Sequence, residues 1–178
     1  MSTHIALLRA VNVGGNILKM DRLRVLCDGL GYKNVRTYVQ SGNVVFEAPG
    51  TPAKCAATLE KALLGETRLP VTVMVRTPAE FKTIIAKNPF LKQKGVDLTR
   101  LAVAFLNASP PKDATKTLSA IKAGPDEFRV AGTELYLHCP TGFARTKLTN
   151  NTFERMLALR STSRNWNTVR TLYEMATE

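Results

Sequence analysis

The strongest constraint in this chain is an alternation of hydrophobic period, met twice in nearly the same order. Ile5 to Val11 is a short apolar run closed by Asn12-Val13-Gly14-Gly15-Asn16, which reads as a buried strand and its loop. From Lys19, apolar residues recur at Met20, Leu23, Leu26, Cys27 and Leu30, a helical spacing stopped by Gly31. Val35–Tyr38 and Val44–Phe46 flank the turn Gln40-Ser41-Gly42-Asn43 and read as a hairpin. Thr51-Pro52 opens a helix with Cys55 or Ala56, Leu59, Ala62 and Leu63 inward, and Val71 to Val75 is a strand. The order β-α-β-β-α-β is the ferredoxin-like order, an antiparallel sheet with two helices on one face.

Thr77-Pro78-Ala79-Glu80 is a capping box that starts a helix through Phe81, Ile84 and Ile85, ended by Asn88-Pro89. The polar stretch Gln93 to Thr99 follows. The second half starts with a strand over Leu101–Leu106 and a helix after Pro110-Pro111 carrying Leu118 and Ile121 inward. A hairpin joins Phe128–Val130 to Leu135–Leu137. A helix spans about Asn151–Leu159, with Asn151 and Glu154 at capping-box spacing. A last helix carries Trp166, Val169, Leu172, Tyr173 and Ala176, with Trp166 on its apolar stripe. Val35-Arg36-Thr37-Tyr38 can be laid over Phe128-Arg129-Val130, and Gly42–Phe46 over Gly132–Tyr136. The expected fold class is therefore α+β, two ferredoxin-like βαββαβ-type halves related by internal duplication. Residues 1–90 are expected to form the N-terminal half and 91–178 the C-terminal half with its terminal helix, as two halves or as a single domain.

Composition sets the partners. The chain of 178 residues carries a net charge of +11 at pH 7, with a pI of about 9.9. Such an excess is an argument about partners and solubility, and has two readings: nucleic acid or another phosphate-bearing ligand, or a basic surface that only keeps the protein soluble. The three cysteines, Cys27, Cys55 and Cys139, are scattered and form no C-x-x-C. They read as buried thiols of a reducing compartment, with no metal site expected from so few ligands. No segment approaches the roughly 20 apolar residues of a membrane helix, so a cytoplasmic protein without membrane attachment is expected. No cofactor motif is present.

Two polar clusters stand out. Near the C-terminus, Lys147-Leu148-Thr149-Asn150-Asn151 is followed by Ser161-Thr162-Ser163-Arg164-Asn165-Trp166-Asn167. Near the start lie Arg9, Asn12 and Lys19, then Arg36, Ser41 and Asn43. Some of the Asn and Ser residues serve as helix caps. Lys147, Asn151, Arg164 and Asn167, with the N-terminal six, are the candidate ligand-binding residues. Backbone amides at Gly14-Gly15 could cradle a phosphate, but the pair matches neither phosphate-loop pattern and reads first as a tight turn. No G-x-S-x-G, H-E-x-x-H or carboxylate pair marks a catalytic centre. Positioning and positive charge alone can still run phosphoryl chemistry. Three readings stay open: a binding protein for nucleic acid, nucleotide or phosphorylated small molecule; an enzyme acting on an anionic substrate between the halves; and an interaction module. A shared site requires the two clusters to meet in space.

The residues Ile5–Gly15, Lys19-Met20 and Val35–Phe46 resemble the bacterial domain-of-unknown-function 1697 family. Asn88-Pro89-Phe90, Lys147-Leu148-Thr149-Asn150-Asn151 and Arg164–Thr168 are similar to its later motifs. Ala10 stands where the family usually has Gly. The resemblance implies two related ferredoxin-like halves; it implies no reaction and no cofactor, and carries over the positions of the ten candidate residues only.

Overall fold

The computed structural model describes residues 1–9 and 17–178. They form a mixed α+β fold with two four-stranded antiparallel sheets and, among the described residues, six α-helices. Two compact units result, Met1–Lys82 with Thr171–Glu178, and Thr83–Arg170.

In the first unit, β1 (Ser2–Leu8), β2 (Lys33–Thr37), β3 (Asn43–Ala48) and β4 (Val73–Arg76) lie in the order β2-β3-β1-β4. Helices α1 (Met20–Gly29) and α2 (Pro52–Thr67) supply Leu23, Cys27, Leu59 and Leu63 to a core with Ala6, Leu8, Val44 and Phe46. Alternation explains the set: Ala6 and Leu8 share one face of β1. Ile5 and Leu7, on the other face, are buried as well, which is why the strand reads as an unbroken apolar run. Thr51 caps α2, its hydroxyl accepting from Lys54 N–H at 3.2 Å, with Pro52 in the first turn. Helix α3 (Pro78–Ala86) starts at a complete capping box. Glu80 N–H donates to Thr77 Oγ1 (3.1 Å) and Thr77 N–H donates to Glu80 Oε2 (2.7 Å). Asn88 then caps a 3-10 turn over Pro89–Lys92, its Oδ1 accepting from Phe90 N–H at 3.1 Å.

In the second unit, β5 (Leu101–Leu106), β6 (Glu127–Ala131), β7 (Glu134–His138) and β8 (Ser161–Asn165) lie in the order β6-β7-β5-β8. Its core joins Ala102, Ala104, Leu106, Leu135 and Leu137 to Leu118 of α4 (Ala114–Leu118) and Phe153 and Leu157 of α5 (Asn150–Leu157). The last helix, α6 (Trp166–Thr177), begins with Trp166, which is buried as its apolar stripe predicts.

Two expectations are corrected here, and one strand adds to what the sequence reads. Helix α4 is only five residues long, because the chain leaves it through i→i+3 turns: Ala120 N–H donates to Thr117 O and Ile121 N–H to Leu118 O. Asn151 does not cap α5. Thr149 does, accepting from Thr152 N–H at 3.2 Å, while Glu154 turns away to accept from Ser161 N–H at 2.9 Å. Finally, Ser161–Asn165 is a strand, although its sequence holds no apolar residue. Burial of so polar a strand requires every group to find a partner. Asn150 Oδ1 accepts from both Ser161 Oγ and Ser163 Oγ at 2.8 Å, and Thr162 Oγ1 accepts from Arg164 Nη1 at 2.7 Å.

The two sheets share register as well as order. Ile5 opposes Arg76 across β1–β4, and Val103 opposes Arg164 across β5–β8. Both arginines are buried, and each donates through Nη1 to the carbonyl of the preceding residue, Val75 at 3.2 Å and Ser163 at 3.0 Å. Among the described residues no helix is long and apolar enough to cross a membrane.

Candidate anion-binding site

Charge is divided unequally between the units. Residues 83–170 carry 14 Lys and Arg against 6 Asp and Glu, a net +8. The other unit carries 11 against 8, a net +3. The paired cations of that unit include Arg22 with Glu66, Arg24 with Asp21, and Arg36 with Glu178.

In the Thr83–Arg170 unit, a cleft of about 360 Å³ opens between the turns after α4 and the outer face of α5. Lys122, Lys147 and Arg155 surround it, with Ile121, Thr152 and Met156. Local structure places each. Phe153 and Leu157 face inward one turn apart, so Thr152, Arg155 and Met156, at i, i+3 and i+4, share another face of α5. Lys147 precedes the buried Leu148 and the Thr149 cap and stays exposed. Lys122 sits on the turns held by Ile121 N–H to Leu118 O (3.0 Å) and Ala123 N–H to Ile121 O (2.9 Å). All three cations are exposed, and no Asp or Glu is among the described residues lining the cleft. Three positive charges so placed raise the local concentration of anions.

A second cleft of about 320 Å³ is lined by Phe143, Thr146, Leu148, Asn150, Ser163 and Asn165, with Arg164 at its wall. Its polar groups are largely engaged with one another. Asn150 holds two serines. Asn165 Oδ1 accepts from Thr168 N–H at 2.8 Å and so caps the start of α6. Burial pushes the Arg164 guanidinium down to about 10.

Of the residues singled out in the sequence, Lys147 lies at the cationic cleft, Arg164 at the second. Asn151 and Asn167 are exposed near the starts of α5 and α6. In the other unit, Arg9 leaves β1 half-buried, with its N–H donating to Thr72 O at 2.8 Å, and Lys19 is exposed just before α1. Arg36 donates through Nη2 to the carbonyl of Met175 and through Nη1 to Glu178 Oε2 (2.6 Å), holding the last turn of α6. A cation there complements the negative end of the helix dipole. Asn43 is fully buried and donates through Nδ2 to Tyr38 O (3.0 Å) and Ser41 Oγ (2.8 Å), closing the β2–β3 turn. Asn12 lies outside the described residues.

Lys122 and Arg155 escaped the reading of the sequence. Neither sits in a polar cluster; the signal was the charge imbalance of the second unit, visible by counting. Arg76 was missed because it ends an apolar strand.

The thiols are poor nucleophiles. Burial raises all three, Cys27 to about 12. Among the described residues no three His, Cys, Asp or Glu are grouped to hold a metal ion.

Comparison with known proteins places the chain at the level of family and fold. The model of a family of proteins of unknown function, DUF1697, matches residues 1–136, and the chain belongs to that family. A search of curated proteins finds no match. Among solved structures, the chain is similar to the conserved bacterial protein SP0830 from Streptococcus pneumoniae, at 19% sequence identity and a TM-score of 0.74. The likeness covers 100% of this chain and 99% of that one.

Proposed function

We propose that this DUF1697 protein binds a phosphate-bearing ligand, nucleic acid or nucleotide, through the basic surface of its Thr83–Arg170 unit. The observation that carries the reading is the cleft in which Lys122, Lys147 and Arg155 converge with no acid among its described lining residues. Three cations around a cleft with no acid among its described lining residues, on a unit of net +8, form an electrostatic footprint for phosphate.

The same reading treats the two units as ferredoxin-like halves of an internal duplication. Its support is the shared strand order and the matched Ile5–Arg76 and Val103–Arg164 registers. A cytoplasmic location goes with it, supported by three unbridged cysteines, which reducing conditions keep as thiols.

The test is thermal stability at low salt with pyrophosphate, tripolyphosphate, ATP and mixed-sequence oligonucleotides. A ligand at about 100 times its Kd stabilises the folded state by about 2.7 kcal/mol. At least one of these compounds raises the melting temperature, and Lys147→Glu reduces that rise. No shift with any of them defeats the reading.

A further inference from the structure

Resting on that reading, we infer that the ligand is a nucleic acid gripped by its sugar–phosphate backbone, without readout of its bases. The lining of the Lys122–Lys147–Arg155 cleft argues for this chemistry. Its three charged groups are all cations. Its apolar residues, Ala120, Ile121 and Met156, can neither hydrogen-bond a base edge nor stack on one as an aromatic ring does. Its remaining polar side chain is Thr152, whose Oγ1 accepts from Thr149 Oγ1 at 3.0 Å and keeps a single O–H donor to offer. What the cleft offers a nucleotide is therefore three cations and one hydroxyl.

Exposure decides between a small ligand and a polymer. A small-molecule site buries most of its ligand and fixes it with a few preorganised polar groups. Lys122, Lys147 and Arg155 are all exposed, and long exposed cations hold phosphates by Coulomb attraction and counterion release. Charge is also not confined to the cleft. The unit's net +8 is more than a single small phosphate ester neutralises, and it matches a ligand that repeats its charge along its length.

The experiment is fluorescence polarisation with labelled single strands of roughly 20 nucleotides: oligo-dT, oligo-dA, an abasic strand and an RNA of matched length, plus a duplex. The triple variant Lys122→Ala, Lys147→Ala, Arg155→Ala is compared with a control of equal charge loss, Lys54→Ala, Lys61→Ala, Lys82→Ala, all exposed in the other unit. Expected are similar affinities for oligo-dT, oligo-dA and the abasic strand, and a loss of about tenfold or more in the triple variant only. The slope of log K against log salt should flatten by roughly 2 in that variant, at about 0.7 per single-strand phosphate contact. Loss of binding to the abasic strand overturns the backbone claim. An equal loss in the control overturns the site. If tripolyphosphate stabilises the protein through these three residues while no strand binds, the nucleic-acid inference falls and the phosphate reading stands. If neither phosphate compounds nor strands act, both fall.

Discussion

Replacing Asn150 should damage the fold out of proportion to its half-exposed position. Its Oδ1 accepts from both Ser161 and Ser163, hydroxyls of a strand with no apolar residue to hold it. In Asn150→Ala both hydroxyls lose their acceptor. A hydrogen bond contributes about 0.5–1.5 kcal/mol net, and a stranded buried donor costs about 1–3 kcal/mol. Alanine's better helix propensity returns up to about 0.7 kcal/mol. Because Ser161 is buried and Ser163 only partly so, the net loss should be about 2 kcal/mol. For a chain of this size that lowers the melting temperature by about 4–8 °C. Urea unfolding measures it: the midpoint falls while the m-value holds. Asn150→Asp is the companion variant. It keeps the acceptor oxygen and puts a negative charge in the first turn of α5, worth about 0.3–1 kcal/mol, so it should retain wild-type stability. A loss below about 0.5 kcal/mol in the alanine variant, or an equal loss in the aspartate variant, would refute the claim that this acceptor holds β8 in place.

Thr77→Ala removes one arm of the capping box at α3 and should cost about 1 kcal/mol, read from the same urea curves. Acid should destabilise the protein through His4. Buried beside Phe46, with both ring nitrogens lacking a hydrogen-bond partner among the described residues, its pKa is lowered chiefly by burial. The unfolded chain then binds the proton more readily, so this contribution is complete above an unfolded value of about 6.5. It is lost as pH falls below that, by at most about 1.36 kcal/mol per pH unit. His4→Phe should flatten that slope, and an unchanged slope would locate it elsewhere. Arg36→Ala should cost under about 1 kcal/mol, because its ion pair with Glu178 is largely exposed; faster amide exchange at the end of α6 would report the loss. The three buried thiols, raised by desolvation, should resist a thiol reagent until the chain unfolds, and rapid labelling of the native protein would contradict their placement.

Local chemistry carried much of the fold in its own letters. Leu101–Leu106 reads as a strand and is one, residue for residue. Thr51-Pro52 and Thr77-Pro78-Ala79-Glu80 announce helix starts through contacts no more than three residues apart, and those contacts are present. Cys27, Cys55 and Trp166 are buried where helical periodicity puts them. Such features survive reading in one dimension because the interacting groups are neighbours along the chain.

The candidate site was less legible for the opposite reason. Lys147 was found because it lies in a visible polar run, but Lys122 and Arg155 are separated by 33 positions and share a cleft only after α4 and α5 have folded. Polar composition also says nothing of which partner a side chain meets. Ser161–Asn165 reads as part of a polar cluster, and it is an edge strand whose serines find their acceptor on another element, 11 and 13 residues away. Arg36, equally suggestive in the sequence, ties down the end of α6 139 residues away, whereas Asn43 closes its own β2–β3 turn. The sequence by itself determined which segments are helices and apolar strands, and how much positive charge the protein carries. Only the tertiary structure decided which polar groups satisfy one another and which cations gather in a cleft with no acid among its described lining residues. A polar side chain's energy is set by the partner brought to it, and that partner is chosen by the packing of the whole chain.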